Sequence, residues 1–384
     1  MSELCFPSQM GRADTQSLSI LDERVRRRDE TVIAPELVFL LRADRPTTPS
    51  CRIGLVGVKR VRLGRASGGE VVIDRSDGGV EVRLPDPRMS SRHFEIEIDG
   101  ATARFRDLGS KNGSRVDGER LGEGALADGA LVELGRSFLL FRIGGPVFAD
   151  ADPRPRQLSR PELSTFSPPL AATWAAISDV ASTSMSIALE GPLASGREVV
   201  ARAIHELSGR KGAFEVLDGR GRPEAFDETV AAVVERAARG TLFLADIGTL
   251  PESWQLGLLR VLRAGGAEAE ANGAPRLVVS ATEDLHRLIE AGTLRSDFVA
   301  RLEGARFRLP SLAERRSDLG LMLQVALTKL VADPGVVQFR RRAVRALFQH
   351  SWPTNGQRGW RTPWRLVSPA PKRLRWLWRI FQIA

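Results

Sequence analysis

The chain has 384 residues, enough for two or three domains, with 42% hydrophobic and 27% charged residues, an ordinary globular composition. It shows no long uncharged apolar run and no apolar leader core, which argues against a transmembrane helix and a secretory peptide and makes a cytoplasmic location the expectation. The formal net charge of +9 is local: after Asp333 there are 11 Lys or Arg and no acid, leaving 45 basic against 47 acidic residues before it. Two cysteines, Cys5 and Cys51, and four histidines offer neither a disulfide framework nor a structural zinc site, so no metal site is expected.

Residues 1–34 are polar and charged and read as a flexible lead-in. Residues 35–145 hold short β-rich runs broken by Gly, Asp and Asn. They are Leu37–Leu41, Arg52–Val56, Arg60–Leu63, Glu70–Ile73, Val80–Leu84, Phe94–Ile98, Ala101–Asp107 and Leu131–Ile143. Close spacing with turn signals predicts a β-sandwich. Residues 146–169 are rich in Pro, Ser and Arg and read as a linker. Over 170–333 the pattern changes. Helical periodicity at Arg197–Leu207 and Glu228–Arg239 alternates with short apolar strands at Ile187–Glu190, Thr241–Leu244 and Arg276–Ser280. That alternation predicts an α/β domain with a mainly parallel sheet. Residues 334–384 form a basic segment with five of the seven Trp.

A reader of phosphorylated peptides needs cationic and hydroxyl donors at one end of a rigid scaffold, and an amide to fix the peptide backbone. Three segments offer them: Leu63-Gly64-Arg65, Met89-Ser90-Ser91-Arg92-His93, and Asp107-Leu108-Gly109-Ser110-Lys111-Asn112-Gly113-Ser114. In order and spacing they resemble the signature of forkhead-associated (FHA) domains. The resemblance implies that Arg65 and Ser90 contact the phosphate, that Asn112 holds the peptide main chain, that Lys111 and Arg92 assist, and that His93 supports the loop. Ser91 stands where many members have Arg.

Residues 187–323 resemble the AAA+ domain of sigma-54-interacting transcription activators of bacteria. The segments Glu198–His205, Gly240–Gly248, Leu258–Leu262, Leu294–Phe298, Arg308–Leu312 and Glu314–Arg316 carry the match. The fold class is therefore multidomain: an all-β FHA sandwich followed by an α/β P-loop (AAA+) domain. A phosphate loop needs glycines for its backbone cradle, a Lys for the phosphates and Ser or Thr for magnesium. Here the run is Gly191-Pro192-Leu193-Ala194-Ser195-Gly196-Arg197-Glu198. Arg197 replaces the Lys, and Pro192 removes one backbone N–H. Ala245-Asp246 replaces the family's Asp-Glu at the metal strand, and Glu283 replaces a nucleotide-sensing Asn. Arg295 and Arg301 match the arginine fingers. A weak nucleotide site at Gly191, Ser195, Gly196, Arg197 and Glu198 and a catalytic remnant of Asp246, Arg295 and Arg301 follow. Weakened ATP–magnesium binding is the cofactor expectation, and ATPase activity is not expected. The stretch from His205 to Gly240 is too short for the family's sigma-54-contacting loop, so Gly212-Ala213-Phe214 reads as a strand start and sigma-54 RNA polymerase is not an expected partner.

The resemblance returns at Trp352-Pro353-Thr354-Asn355 and then breaks. Gly359-Trp360-Arg361-Thr362-Pro363-Trp364 can be encoded so that a shifted frame reads Leu-Glu-Asn-Ala-Leu, the family's continuation. A frameshift between Asn355 and Gly359 is one reading; a basic-aromatic tail for membrane surfaces or nucleic acid is the other. A DNA-binding helix-turn-helix is not expected here. The expected function is a phosphothreonine-reading signalling or transcription-regulatory protein that engages substrates of a Ser/Thr kinase and can form an AAA+ oligomer. The alternatives are an active ATP-dependent sigma-54 activator and a decayed gene product.

Overall fold

The computed structural model describes residues 31–76, 78–218, 226–261, 273–302, 304–350 and 352. The first half is built of strands: β1 (Thr31–Ile33), β2 (Glu36–Arg42), β3 (Cys51–Gly54), β4 (Arg60–Arg65), β5 (Val72–Ser76), β6 (Gly79–Leu84), β7 (Phe94–Asp99), β8 (Thr102–Asp107), β9 (Ser114–Val116), β10 (Glu119–Arg120), β11 (Glu123–Ala125), β12 (Leu131–Leu134), β13 (Ser137–Arg142) and β14 (Pro146–Phe148). They form two six-stranded sheets, ordered β10-β9-β12-β13-β2-β3 and β11-β8-β7-β4-β6-β5. Period-two patterning sets the faces: in β4, Val61 and Leu63 point into the core while Arg60 and Arg62 face solvent. Leu37, Phe39, Val82, Phe94, Ile96 and Phe141 fill the space between the sheets.

The second half contains β15 (Arg156–Gln157), β16 (Ser164–Thr165), α1 (Pro168–Ala181), β17 (Ile187–Glu190), α2 (Arg197–Ser208), β18 (Phe214–Asp218), α3 (Phe226–Arg236), β19 (Thr241–Ala245), α4 (Glu252–Val261), β20 (Arg276–Ala281), α5 (Leu285–Glu290), α6 (Ser296–Arg301), β21 (Ala305–Arg308), α7 (Leu319–Leu330) and α8 (Arg341–Gln349). Five strands pair in parallel in the order β18-β19-β20-β17-β21. Helix α2 starts after Gly196 with Glu198 in its first turn and stops at Gly209, which takes φ of 67°. Among the described residues no helix is long and apolar enough to cross a membrane.

Three expectations change. Thr31–Ile33, assigned to the lead-in, is strand β1 paired with β14; residues 1–30 lie outside the described part. Residues 146–169 are not an extended linker. They hold β14 and the β15–β16 pair, and Leu158, Leu163 and Phe166 are buried. The Leu131–Ile143 run is a hairpin, turned at Gly135 with φ of 61°. The residues invoked for the frameshift or basic tail lie outside the described residues.

The two halves share a core. The outer face of the β2-bearing sheet presents Val38, Leu40, Leu131, Phe138 and Leu140 to Leu319, Met322, Leu323, Val344 and Phe348 of α7 and α8. Gly320 permits this contact: a Cβ there would lie 2.1 Å from the Leu40 carbonyl oxygen. Polar bonds register it. Gln324 Nε2 donates to the Thr48 carbonyl at 2.6 Å. Arg345 grips both carboxylate oxygens of buried Glu133, one at 2.9 Å. Burying a sheet face of this kind contributes about 25 cal/mol per Å² of apolar surface, so the contact resists rigid-body separation.

Candidate functional site

Three loops meet at one end of the sandwich. Strand β4 ends in Leu63-Gly64-Arg65, and the β6–β7 loop lies across it. The Arg65 amide donates to the Ser90 carbonyl (2.9 Å) and the His93 amide to the Leu63 carbonyl (3.0 Å). Glycine is required at 64, because a Cβ there would sit 1.9 Å from the Ser91 carbonyl oxygen. His93 is fully buried, and its Nδ1 accepts the Ser90 N–H at 3.1 Å. Burial pushes the His93 pKa down against the opposing charge of Asp107, which keeps this nitrogen an acceptor.

The third loop, between β8 and β9, is wound around Asp107. Its carboxylate accepts the Ser110 N–H (2.6 Å), the Ser110 hydroxyl (2.7 Å) and the Ser114 hydroxyl (2.5 Å). Burial pushes the Asp107 pKa up, but the Ser114 and Ser110 donors outweigh it and hold the carboxyl below its ordinary value. The loop then joins its neighbour: the Lys111 amide donates to Ser90 Oγ (3.1 Å), and Asn112 Nδ2 donates to the Arg88 carbonyl (2.6 Å). With its oxygen accepting from Lys111, the Ser90 hydroxyl proton remains available to an anion.

The structure thus brings Arg65, Ser90, Lys111 and Asn112 together through backbone and side-chain bonds, with Arg92 on the same loop. Arg65, Arg92, Lys111 and Asn112 are exposed, and Ser90 is half-buried. Among the described residues, the cations Arg65, Arg92 and Lys111 have no carboxylate partner. Some other surface arginines are paired, as Arg62 is with Glu95 (2.7 Å) and Arg308 with Glu314 (2.7 Å), and others, such as Arg45 and Arg104, have no carboxylate partner among the described residues. Exposed cations without a carboxylate partner, on loops that also carry a hydroxyl, suit a dianionic phosphate. Arg88 escaped the sequence reading; its position directly ahead of the Met89–His93 segment was the available signal.

The phosphate-loop segment is arranged differently. It joins β17 to α2, with Ala194 at φ of 60° and Gly196 at φ of 92°. The Ser195 N–H donates inward to the Pro192 carbonyl (3.1 Å), and buried Arg315 donates to the Ser195 carbonyl (3.2 Å). Arg197 lies 3.8 Å from Asp246 Oδ1, with both side chains under 10% exposed, at 9% and 6%. Asp246 adopts φ of 52° and its amide donates to Ser280 Oγ (2.9 Å). Glu198, at the magnesium-ligand position, pairs along the helix surface with Arg202 (2.8 Å). Glu283 is exposed beyond the end of β20. Against the glycine-and-lysine cradle of a phosphate loop, one backbone N–H is missing at Pro192, the Ser195 N–H is used within the loop, and Arg197 lies near Asp246, the carboxylate that follows β19.

Arg295 is bound on its own subunit to Asp297 (2.9 Å) and Glu252 (2.8 Å), and Arg301 is half-buried at the end of α6. The expected strand start at Phe214 is β18, and β18 and α3 occupy the stretch between His205 and Gly240.

Fold and site together define a recognition sandwich fused to a P-loop-type α/β domain. The family model of the FHA domain matches residues 61–135, and that of the sigma-54 interaction domain matches residues 222–308. The chain therefore carries an FHA domain followed by a sigma-54 interaction domain. It is 28% identical over 364 residues to the acetoin catabolism regulatory protein of Cupriavidus necator, covering 86% of this chain and 51% of that protein. It is 29% identical over 213 residues to the DNA-binding transcriptional regulator NtrC of a Bradyrhizobium species, covering 49% of this chain and 44% of that one. A crystal structure of NtrX from Brucella abortus in complex with ATP is 28% identical, with a TM-score of 0.44, over 51% of this chain and 50% of that one. The chain spans about half the length of the curated relatives it matches.

Proposed function

We propose that this chain is a phosphothreonine-reading regulatory protein of the bacterial cytoplasm, in which the sigma-54 interaction domain serves as a scaffold and not as an ATPase. The carrying observation is that Arg65, Arg92 and Lys111, cations without a carboxylate partner among the described residues, stand on the bonded loops that also carry Ser90 and Asn112. A phosphothreonine brings nearly two negative charges and three acceptor oxygens to such a cluster. The same comparison supports the scaffold role: Arg197, in the position of the phosphate-binding Lys, is turned onto Asp246. The partner is then a protein phosphorylated by a Ser/Thr kinase, and the output on transcription passes through protein contacts.

The test is a panel of phosphothreonine, phosphoserine and unphosphorylated peptides titrated against the whole chain. Binding should require phosphothreonine. Arg65→Ala should weaken it by about 2–3 kcal/mol, roughly thirtyfold or more. Equal affinity for the unphosphorylated peptides, or no effect of Arg65→Ala, would remove the basis of the reading.

A further inference from the structure

The β12–β13 hairpin is the mount of both recognition loops. Buried Asp86, at the base of the β6–β7 loop, accepts the Arg136 amide (2.6 Å) and the Ser137 hydroxyl (2.9 Å) of the hairpin turn. Its other oxygen accepts the Arg88 amide at 2.8 Å. The fit there is close: a Cβ on Gly135 would lie 2.9 Å from the Asp86 carboxylate and 3.1 Å from the Arg88 Cβ. Leu134 of β12 pairs with Ser114 of β9, and Ser114 is bonded to Asp107, the centre of the β8–β9 loop. The two loops are joined to each other by the Asn112–Arg88 and Lys111–Ser90 bonds.

Helix α8 of the second domain grips this hairpin at three points. Arg345 holds the Glu133 carboxylate of β12 through two bonds, one of 2.9 Å. Phe348 stacks on Phe138 of β13 with ring centroids 6.4 Å apart. Arg341, the first residue of α8, donates from Nη1 to the Gly135 carbonyl at 2.9 Å. The first two contacts bury charge and apolar surface, and they belong to the packing of the two halves. The third is of another kind: an exposed side chain bonded to the backbone of the turn, directly before the two residues that Asp86 holds. A single hydrogen bond at the surface adds little to stability. This one fixes the turn on which Asp86, and with it the Arg88–Ser90 backbone, is seated. A binding site needs its donors held to within about 0.5 Å, so a bond that fixes the mount acts on recognition without touching the ligand.

We propose that Arg341 of the sigma-54 interaction domain is a positioning residue for phosphopeptide recognition by the FHA domain. By holding the β12–β13 turn it sets where the β6–β7 loop stands relative to the β8–β9 loop, and so how Ser90 meets Lys111 and Asn112. Affinity for the phosphopeptide is then a property of the two domains together. Linkage makes the effect reciprocal: a bound phosphopeptide tightens the seat of α8 on the hairpin. This rests on the phosphothreonine reading above and adds the route by which occupancy of the FHA loops reaches the second domain.

Two measurements on the whole chain test it. Fluorescence anisotropy with one labelled phosphothreonine peptide compares the unaltered chain with Arg341→Ala, Arg341→Lys and Arg342→Ala. Arg341→Ala should weaken binding about fivefold while the melting temperature is kept. Arg341→Lys, which can still donate one bond to the Gly135 carbonyl, should recover most of the loss. Arg342→Ala removes the same charge and no bond to the hairpin among the described residues, and it should bind as the unaltered chain does. In the second measurement, saturating peptide should slow hydrogen exchange of the α8 amides by a similar factor, and should not do so in Arg341→Ala. Unchanged affinity in Arg341→Ala, equal weakening in Arg341→Ala and Arg342→Ala, or α8 exchange indifferent to the peptide each overturns the positioning role. The phosphothreonine reading survives those outcomes as long as Arg65→Ala still removes binding. Absence of phosphate-dependent binding in the unaltered chain overturns both.

Discussion

The two ends built for anions in this molecule have opposite electrostatic organisation. In the FHA domain the recognition loops bond one another through backbone groups, Ser90 and Asp107, and keep the cations Arg65, Arg92 and Lys111 in solvent. In the sigma-54 interaction domain the loop that would hold a nucleotide directs Arg197 inward to Asp246. The first arrangement gives up stability to keep charge available for a ligand; the second uses its charge inside the fold. A cation at a motif position is therefore informative only together with its partner.

Substitutions that sharpen this comparison rank by the charge they strand. Arg345→Ala leaves the Glu133 carboxylate buried without its guanidinium and should cost about 3–5 kcal/mol in urea unfolding, with the doubly substituted Arg345→Ala, Glu133→Gln chain recovering most of it. Arg197→Met strands Asp246 and should cost about 2–3 kcal/mol, with Asp246→Leu added in the same chain compensating. Additive losses would mean that the two side chains act independently. Arg65→Ala should leave the melting temperature unchanged within a degree or so while abolishing most phosphopeptide affinity, because an exposed unpaired cation contributes little to stability.

The smallest effect is a pH dependence. Burial pushes the Glu36 pKa from 4.5 up to about 7, against the charges of Arg52 and Arg142 and with the help of Asp318 across the domain contact. Below pH 4.5 the group is neutral in both folded and unfolded chains and costs nothing. Between 4.5 and about 7 only the unfolded chain ionises, so stability falls as pH rises, and above 7 the loss is complete. Glu36→Gln should therefore stabilise the protein by about 1–2 kcal/mol at pH 8 and leave it unchanged at pH 4, part of the roughly 3 kcal/mol that such a shift represents.

Much of this was legible in the sequence because it is local. The Ile187–Glu190 strand is found with its expected ends, and β4, β6 and β7 follow from alternation of apolar and charged residues. The Gly64 requirement was carried by the motif itself. The contact between domains was half-visible: Leu37-Val38-Phe39-Leu40-Leu41 is apolar without alternation, the mark of a strand covered on both faces. What covers the outer face comes from α7 and α8, far along the chain, and no local pattern names a partner at that distance. The Arg197 and Asp246 replacements were each legible as a loss from the phosphate site. Their pairing with one another depends on how β19 and α2 lie in space. Arg88 was missed for the same reason, since its neighbours Asn112 and Gly135 come from other loops.

The central claim is that charge is offered at the FHA loops and consumed at the phosphate loop. Calorimetric titration of one sample of the whole chain, first with magnesium–ATP and then with a phosphothreonine peptide, tests it most directly. The account predicts no binding heat and no hydrolysis with ATP, followed by saturable, phosphate-dependent peptide binding that Arg65→Ala removes. Saturable ATP binding with turnover, together with a peptide response indifferent to phosphorylation, would contradict it.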